Sequence, residues 1–348
     1  MRIGIVNNDR AVADSLQRII ATQPELQTAW VASDGEDAVR LCAADKPDLV
    51  LMDLAMRRVD GIEATRRIMA ATPCAILIVT PTVDGDAALV FRAMGHGALD
   101  AVNTPVSGAG EEALLAKIRT IGRLVNPRRS ARTTLPRIPA IGAAPPPAPP
   151  LVVIGSSTGG PKALAEILSS MSGPPRAAVV VVQHVDEQFA SGLASWLTRE
   201  ARFPVRTILE GDRPQVGEVA IAESNDHLVL ADDLSFRYVR EPAELPYRPS
   251  VDVFFKNVAQ VWPSPGIAVL LTGMGSDGGQ GMLALRRKGW HTIAQDRATS
   301  VIYGMPKAAV DLDAAVQVLP LDEIGRAIVL QLGALRVPRM SGSMLVRP

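Results

Sequence analysis

The sequence has few cysteines, few histidines and no long apolar run. Its 348 residues include two cysteines, Cys42 and Cys74, and four histidines. Two cysteines are too few for a disulfide framework or a zinc site, which agrees with a reducing cytosol. No apolar run approaches the roughly 20 residues of a transmembrane helix, and the first residues, Met1–Val6, are typical of a strand and not of a signal peptide. We therefore expect a cytoplasmic protein that is not inserted in a membrane.

The sequence also lacks an excess of charge of either sign. It has 36 lysines and arginines and 36 aspartates and glutamates, so its formal net charge is zero. A neutral chain has no overall field to attract nucleic acid or an acidic membrane surface. Nucleic acid is therefore not an expected partner. The length predicts two domains, each large enough to bury its own core.

Strand-like and helix-like segments alternate in two stretches of the chain, 1–122 and 151–337. The predicted strands are Ile3–Val6, Thr28–Ala32, Leu49–Met52, Ala75–Val79 and Ala101–Val102 in the first stretch, and Leu151–Ile154, Ala178–Gln183, Val205–Ile208, Val219–Ala222, His227–Leu230, Gly266–Thr272, Trp290–Ala294 and Ala315–Leu319 in the second. Such alternation is typical of mostly parallel, doubly wound α/β sheets with helices on both faces. We predict one α/β domain in each stretch.

The two stretches are separated by a segment of different composition. Residues 123–150 contain eight prolines and five arginines and no apolar periodicity. This composition indicates an extended linker with polyproline character. The last residues, 338–348, are predicted to form a tail.

A glycine-rich turn follows the first strand of the second stretch. The apolar run Leu151–Ile154 leads into residues 155–160 and a helix beginning near Pro161, which places Ser157 at the centre of a Gly-x-Ser-x-Gly pattern. Such a turn can present a nucleophilic hydroxyl beside backbone N–H groups that receive an oxyanion. By itself it equally allows a phosphate-binding loop or a simple βα connection. It does not match the dinucleotide fingerprint or the P-loop, which argues against a nucleotide-binding module.

One histidine follows a central strand directly. His184 comes after the apolar run Ala178–Gln183, and open α/β sheets gather their reactive groups at the carboxyl ends of strands. We predict that it is the base for the serine of the glycine turn. His96 is predicted to lie in a turn, and His227 and His291 stand at strand starts, where a histidine is usually structural.

An acidic residue follows a third strand in the same way. Asp277 lies in a glycine turn after the strand Gly266–Thr272. A carboxylate there can hold the imidazole tautomer and stabilise the imidazolium formed during attack, although it can also cap the following helix. The neighbouring glycines let backbone N–H groups, that of Met274 among them, point into the same crevice. The order Ser–His–Asp differs from the Ser–Asp/Glu–His order of α/β-hydrolases.

Several ordered segments of the second stretch resemble the chemotaxis protein-glutamate methylesterases, the CheB family. The resemblance spans residues 151–335. The segments that carry it are Leu151–Pro161, Gln183-His184, Arg248–Asp252, Leu271–Gly278, Ile293–Asp296 and Thr299–Ala308. It implies hydrolysis of γ-glutamyl methyl esters on chemoreceptors with release of methanol, and often deamidation of receptor glutamines.

The resemblance also implies a role for each candidate site residue. Ser157 corresponds to the nucleophile, His184 to the base and Asp277 to the orienting carboxylate. The backbone N–H of Met274 would help to bind the oxyanion, and Thr158 would help to shape the site. No cofactor is expected for this chemistry.

Residues 1–122 resemble the response-regulator receiver that this family carries at its N-terminus, a flavodoxin-like domain. Asp53, at the end of the strand Leu49–Met52, occupies the phosphoacceptor position. The resemblance implies a histidine kinase partner, Mg²⁺ for phosphorylation, and control of the esterase by the receiver. Other features of the pocket fall at Met56, Asp60-Gly61, Thr80 and Thr104-Pro105, with Arg57 at a position where a proline is expected.

The receiver pocket departs from the family pattern in its charges. Asn7 and Asn8 stand where receivers carry an acidic pair for Mg²⁺, with Asp9 one place later, and Thr104 stands where a lysine is expected. Mg²⁺ prefers carboxylate oxygens. With Asp53 and Asp9 as the anionic ligands, unless Asp9 moves inward and restores the site, we predict weak Mg²⁺ binding and poor phosphorylation.

Two stretches of the receiver indicate one branch of the family. Residues 73–80 and 94–100 resemble the Wsp-type branch of the family, whose members restrain a surface-sensing pathway that controls cyclic-di-GMP and biofilm formation. Both chemotaxis and surface sensing stay open as pathways. A different class of function is also open, a regulator that acts by binding and covering a receptor without turnover.

Overall fold

The structure is a computed structural model that describes residues 1–56, 58–81, 87–106, 110–125, 148–245 and 247–335. Most of the predicted linker, the predicted tail and Arg57 lie outside these residues. No helix among them is both long and apolar enough to cross a lipid bilayer.

The N-terminal unit is a five-stranded parallel sheet with the strand order β2-β1-β3-β4-β5. Its strands are β1 (Arg2–Val6), β2 (Gln27–Ala32), β3 (Leu49–Met52), β4 (Ala75–Thr80) and β5 (Asp100–Asn103), and its helices are α1 (Arg10–Ala21), α2 (Gly35–Ala44), α3 (Gly61–Ala71), α4 (Ala87–Gly95) and α5 (Glu111–Val125). Strands β3 and β4 are buried along their whole length, as expected when helices cover both faces of a parallel sheet. The predicted fold class of this unit is confirmed.

The C-terminal unit is a seven-stranded parallel sheet with the order β14-β13-β12-β6-β7-β9-β8, accompanied by a two-stranded antiparallel ribbon, β10-β11. Its strands are β6 (Leu151–Ser156), β7 (Ala178–Gln183), β8 (Val205–Thr207), β9 (Val219–Ile221), β10 (His227–Leu230), β11 (Phe236–Val239), β12 (Ile267–Leu270), β13 (His291–Gln295) and β14 (Gln317–Leu319), and its helices are α6 (Gly160–Ser169), α7 (Glu187–Ala201), α8 (Val251–Val261), α9 (Gly279–Arg287), α10 (Met305–Asp311) and α11 (Leu321–Leu335). This unit is doubly wound and mostly parallel, as predicted.

Two elements of the C-terminal unit are absent from the sequence prediction. Strand β11 has four residues and helix α10 has seven, and such short segments show too few repeats for a period to be recognised. Because β11 pairs with β10, the strand predicted at His227–Leu230 belongs to the ribbon and not to the main sheet.

The register of the central strands brings three strand ends to one level. Ser156 at the end of β6 pairs with Gln183 at the end of β7, and Gly155 of β6 pairs with Leu270 at the end of β12. The residues that directly follow these strands therefore share one edge of the sheet, which is where doubly wound folds place their ligands.

The two units are packed against each other. Helix α4 of the first unit lies against α6 and α7 of the second, and the rings of Phe91 and Trp196 stack across this contact at 6.0 Å between centroids. One buried apolar cluster contains residues of both units, Val90 and Leu164 among them. The N-terminal unit is thus held against the helices that flank β6 and β7.

Candidate active site

Ser157 is the first residue after β6 and is held by its backbone on both sides. Its N–H donates to the carbonyl of Thr272 at 3.1 Å, and its carbonyl accepts from Gln183 Nε2 at 2.9 Å. The side chain lines a cavity although the residue is only 8% exposed. A serine at this place is fixed in position by its backbone and lies in the wall of the cavity.

The turn after Ser157 depends on two glycines. Gly159 has a φ of +78°, a left-handed conformation that side chains with a Cβ seldom adopt. A Cβ at Gly160 would collide with Gln183 Oε1 and would lie 2.8 Å from Ser156 Cβ. Because Ser157 does not itself have a positive φ, the turn is not the strained elbow in which the nucleophile carries the unusual conformation.

His184 is the first residue after β7 and points toward a carboxylate. Its N–H donates to Ser156 O at 3.0 Å, and its Nε2 lies 2.7 Å from Asp277 Oδ2. The other ring nitrogen, Nδ1, is buried and has no hydrogen-bond partner among the described residues. Ser157 Oγ makes no hydrogen bond to this nitrogen in the structure, but Nδ1 is the ring nitrogen that Asp277 does not occupy, at the same sheet edge as the serine.

Asp277 lies in the turn after β12 and is fully engaged. Besides His184, it accepts hydrogen bonds from Ser250 Oγ at 2.8 Å and from the N–H groups of Val251 at 2.7 Å and Asp252 at 3.0 Å. Ser250 is the N-cap of α8, so the carboxylate sits at the positive end of that helix. The helix that Asp277 helps to cap is therefore α8 and not the following helix, α9.

These hydrogen bonds decide the charge of the carboxylate. Burial acts to raise the pKa of Asp277, but the hydrogen bond and the electrostatic attraction of His184, with the hydrogen bonds from Asp252 and Ser250, outweigh it and hold this pKa below its usual range. An ionised carboxylate only accepts hydrogen bonds. The proton in the contact with His184 must therefore be on Nε2, so Nδ1 is the ring nitrogen that can exchange a proton with a substrate or a nucleophile.

A second layer of groups fixes this arrangement. His227 is fully buried; its Nε2 contacts Pro242 O at 3.0 Å, and its Nδ1 accepts from the N–H of Ser250 at 3.1 Å. Burial lowers the pKa of His227, which favours the neutral ring that these two bonds require. Burial and the neighbouring Asp277 raise the pKa of Asp252 to about 6. The structural role predicted for His227 is thus realised as support for the cap of α8.

Tyr247 is a site residue that sequence reasoning missed. Its ring stacks on the His184 ring with 4.1 Å between centroids and 6° between planes. It belongs to the irregular segment before α8, next to Arg248, and a residue without periodic context gives no signal of such a contact.

Two backbone N–H groups of the turns around Ser157 are available. Those of Thr158 and Met274 are not engaged by another described residue. A Cβ at Gly273 would lie 2.8 Å from Ser157 Cβ, so the turn that carries Met274 approaches the serine closely. Both N–H groups belong to turns at the sheet edge where an oxyanion would form.

A cavity of about 200 Å³ opens above these residues and is lined by both units of the protein. The C-terminal unit supplies Ser157, Thr158, His184, Val185, Asp186, Asn225, Tyr247 and Arg248, and the N-terminal unit supplies Leu99, Asp100, Ala116, Lys117 and Ile121. Lys117 Nζ binds Asp100 Oδ2 at 2.7 Å and lies 3.7 Å from Asp186 Oδ2, two residues after His184. The N-terminal unit therefore forms part of the wall of the cavity that contains the site.

The candidate phosphoacceptor pocket in the N-terminal unit is short of carboxylates. Asp53 is buried and follows β3, where its N–H donates to Val6 O. Asp9 is the N-cap of α1, with its Oδ1 accepting from Ala11 at 2.8 Å. Asn8 Nδ2 donates to Ala55 O at 2.9 Å.

Nearby, Thr104 N–H donates to the carbonyl of Thr80. Thr104 thus places a neutral hydroxyl side chain where a lysine was expected. No group of three acidic, histidine or cysteine residues in the described part of the chain is arranged to hold a metal. With Asp53 as the buried carboxylate and neutral amides at Asn7 and Asn8, these residues fit poorly the hard Mg²⁺ ion, which prefers several carboxylate oxygens.

Comparison with known proteins gives the same division of the chain. Residues 152–328 match the CheB methylesterase family model and residues 3–119 match the response regulator receiver domain. A protein-glutamate methylesterase/protein-glutamine glutaminase from Burkholderia thailandensis is 52% identical over 94% of this chain and 97% of its own length. One from Pseudomonas aeruginosa is 49% identical over 93% of this chain and 97% of its own length.

A solved structure agrees with the C-terminal unit. The CheB methylesterase catalytic domain of Thermotoga maritima is 35% identical and aligns with a TM-score of 0.50, covering 52% of this chain and 98% of that one. One family model spans half the chain, and relatives match it almost end to end, in agreement with the two α/β units of the structure. The chain is therefore a member of the CheB methylesterase family, hydrolases that carry a response-regulator receiver domain.

Proposed function

We propose that this protein hydrolyses γ-glutamyl methyl esters, and deamidates glutamines, on chemoreceptors by a Ser157–His184–Asp277 mechanism under the control of its receiver. The observation that supports it most strongly is the 2.7 Å contact between His184 and Asp277 at the same sheet edge as Ser157. The names of its relatives supply the substrate class.

The first half of the reaction forms an acyl-enzyme. Ser157 Oγ attacks the ester carbonyl carbon while His184 Nδ1 accepts the hydroxyl proton. The carbonyl oxygen becomes an oxyanion, which the N–H groups of Thr158 and Met274 and the N-terminus of α6 stabilise. The C–O bond to the methoxy group then breaks, the imidazolium returns the proton to that oxygen, and methanol leaves.

The second half restores the enzyme. Water attacks the glutamyl ester while His184 Nδ1 takes its proton, and the bond to Ser157 Oγ breaks as the serine regains that proton. The product is a receptor glutamate. With a glutamine side chain the same steps release ammonia in place of methanol, because the leaving group is protonated by the same imidazolium.

Replacing Asp277 by asparagine should lower turnover by about 10³- to 10⁴-fold. An amide nitrogen facing Nε2 favours the tautomer with its proton on Nδ1, and this nitrogen can then no longer accept the serine proton. The control is Asp232→Asn, the same change at an exposed aspartate of the same unit. Initial rates of methanol release from methylated receptors measure the effect, and an Asp277→Asn rate within a factor of ten of wild type would contradict the role.

The test of the proposed function is turnover on receptor membranes. Membranes that carry methyl-labelled receptors are incubated with the full chain, and released methanol and deamidated glutamine are measured together with the amount of protein bound. The proposal predicts many equivalents of product per protein chain. Stoichiometric binding to the membranes without release of methanol would contradict the proposal. It would favour a regulator that binds and covers the receptor without turnover.

Phosphorylation of the receiver at Asp53 is proposed to be slow with small phosphodonors. Neutral Asn7 and Asn8 leave Mg²⁺ without the carboxylates it prefers, and Thr104 brings no cation to the phosphoryl oxygens. Labelling with radioactive acetyl phosphate in the presence of Mg²⁺ should therefore be weak. Asn8→Asp combined with Thr104→Lys should raise it several-fold or more.

The control for this labelling is Asp53→Asn in both backgrounds, which removes the acceptor carboxylate. Any radioactive label that the Asp53→Asn variant takes up is attached to other residues and is subtracted. Rapid, Mg²⁺-dependent labelling of Asp53 in the unmodified chain would show that the charge argument is wrong.

A further inference from the structure

The stacking of Tyr247 on His184 is the closest ring contact of the site. The centroids are 4.1 Å apart and the planes are nearly parallel, at 6°. The contact comes from the segment before α8, whereas the hydrogen bond to Asp277 comes from the turn after β12. Two separate segments of the chain therefore hold the imidazole of His184. The Asp277 carboxylate binds the edge of the ring, and the Tyr247 ring packs on its face.

The tyrosine hydroxyl does not explain the position of the ring. Tyr247 Oη is buried and has no hydrogen-bond partner among the described residues, an arrangement that usually costs stability. Burial and the carboxylate of Asp277 raise the pKa of Tyr247, so the ring is a neutral phenol. What Tyr247 offers to its neighbour is the face of an electron-rich ring.

Such a face favours one protonation state of its neighbour over the other. In the proposed reaction the imidazole becomes a cation when it takes the serine proton. The face of a tyrosine ring attracts a cation and gains much less from a neutral ring. An interaction that strengthens as the transition state forms accelerates the reaction.

We propose that Tyr247 is a positioning residue for the reaction, whose ring holds the His184 plane and stabilises its imidazolium. This inference rests on the proposed function only through the assignment of His184 as the base of Ser157. The ring limits rotation of the imidazole about its bond to Cβ, a motion that one hydrogen bond to Nε2 leaves possible. It also offsets part of the cost of charging a buried imidazole.

Other charged groups face His184 from the elements around it. Asp277 lies at Nε2, Asp186 is the N-cap of α7, and Lys117 of α5 lies 3.7 Å from Asp186. Arg248 is exposed beside Tyr247. Replacing Tyr247 changes none of these charged groups. A difference in the pH dependence of labelling between the variants therefore measures the effect of the tyrosine ring.

The test measures how quickly an alkyl fluorophosphonate labels Ser157 in the full chain as a function of pH. This reagent needs an activated serine and no receptor. Tyr247→Leu should slow labelling at its pH optimum by about 3- to 30-fold and move the acid limb of the pH profile to lower pH by about half a unit or more. Tyr247→Phe keeps the ring face and should restore both to within about twofold of wild type.

Two controls separate this role from a loss of stability. Tyr238→Leu removes a half-buried tyrosine whose Oη donates to Ile208 O and accepts from Glu223, in the same unit and away from the site; it should leave the pH profile in place. Ser157→Ala should not be labelled at this site. A thermal unfolding curve of each variant checks that the protein is folded at the temperature of the labelling experiment.

The inference is overturned if Tyr247→Leu is labelled like wild type at every pH, or if Tyr247→Phe is as slow as Tyr247→Leu, which would assign the effect to the hydroxyl. An unlabelled wild-type serine would overturn the triad and this inference with it. If Ser157 is labelled with the expected pH dependence but receptors are not demethylated, the proposed substrate is wrong while the role of Tyr247 stands.

Discussion

Removal of residues 1–150 should raise the rate of receptor demethylation by about 10-fold to 10³-fold. In the full chain, residues of α5, Leu99 and the first residue of β5, Asp100, line the cavity that contains Ser157 and His184. That cavity of about 200 Å³ accepts a single side chain, whereas a receptor helix is about 10–12 Å across. We therefore expect a receptor glutamate to react only in molecules whose receiver has moved aside. If such open molecules are about 0.1–10% of the population, the apparent activity falls by the same fraction.

The shortened chain is expected to fold, because it has its own sheet and core and the matching Thermotoga maritima catalytic domain has been crystallised. A small activated ester provides the control, since it fits the cavity. Its hydrolysis should differ far less between the two chains than receptor demethylation does. Equal demethylation rates would show that the receiver does not block the site.

Ser157→Ala should abolish turnover, with a loss of at least about 10⁴-fold. Alanine fits the same turn, because the serine is held by backbone contacts to Thr272 and Gln183 and not by its hydroxyl. The fold is therefore expected to stay intact while the nucleophile is gone. Ser169→Ala is the matched control, at an exposed serine near the end of α6, and should keep full activity. Methanol release measures both.

Much of the site could be predicted because it lies at strand ends. In a parallel sheet every strand runs the same way, so the residues after β6, β7 and β12 meet at one edge whatever their distance in sequence. Ser157, His184 and Asp277 each directly follow an apolar run or lie in the glycine turn after one. The sequence alone therefore predicts that these three residues lie at the same edge of the sheet.

The parts that escaped prediction depend on tertiary contacts of irregular segments. Tyr247 reaches His184 from a loop with no periodicity, and Asp277 accepts from the start of α8, an element that precedes it by more than twenty residues. Asp277 contacts His184, as expected. The helix that it caps, however, is α8 and not the helix that follows it, α9. Asp9, which could have turned into the receiver pocket, caps α1 instead, since a side chain at an N-cap gains two backbone donors.

The central claim is that Ser157 is the nucleophile in the hydrolysis of receptor methyl esters. The most direct measurement is the methanol that the full chain and its Ser157→Ala variant release from the same methyl-labelled receptor membranes, at equal concentrations of folded protein. We expect many turnovers for the wild-type chain and, for the variant, no more methanol than the membranes alone release. Equal release by the two proteins would contradict it.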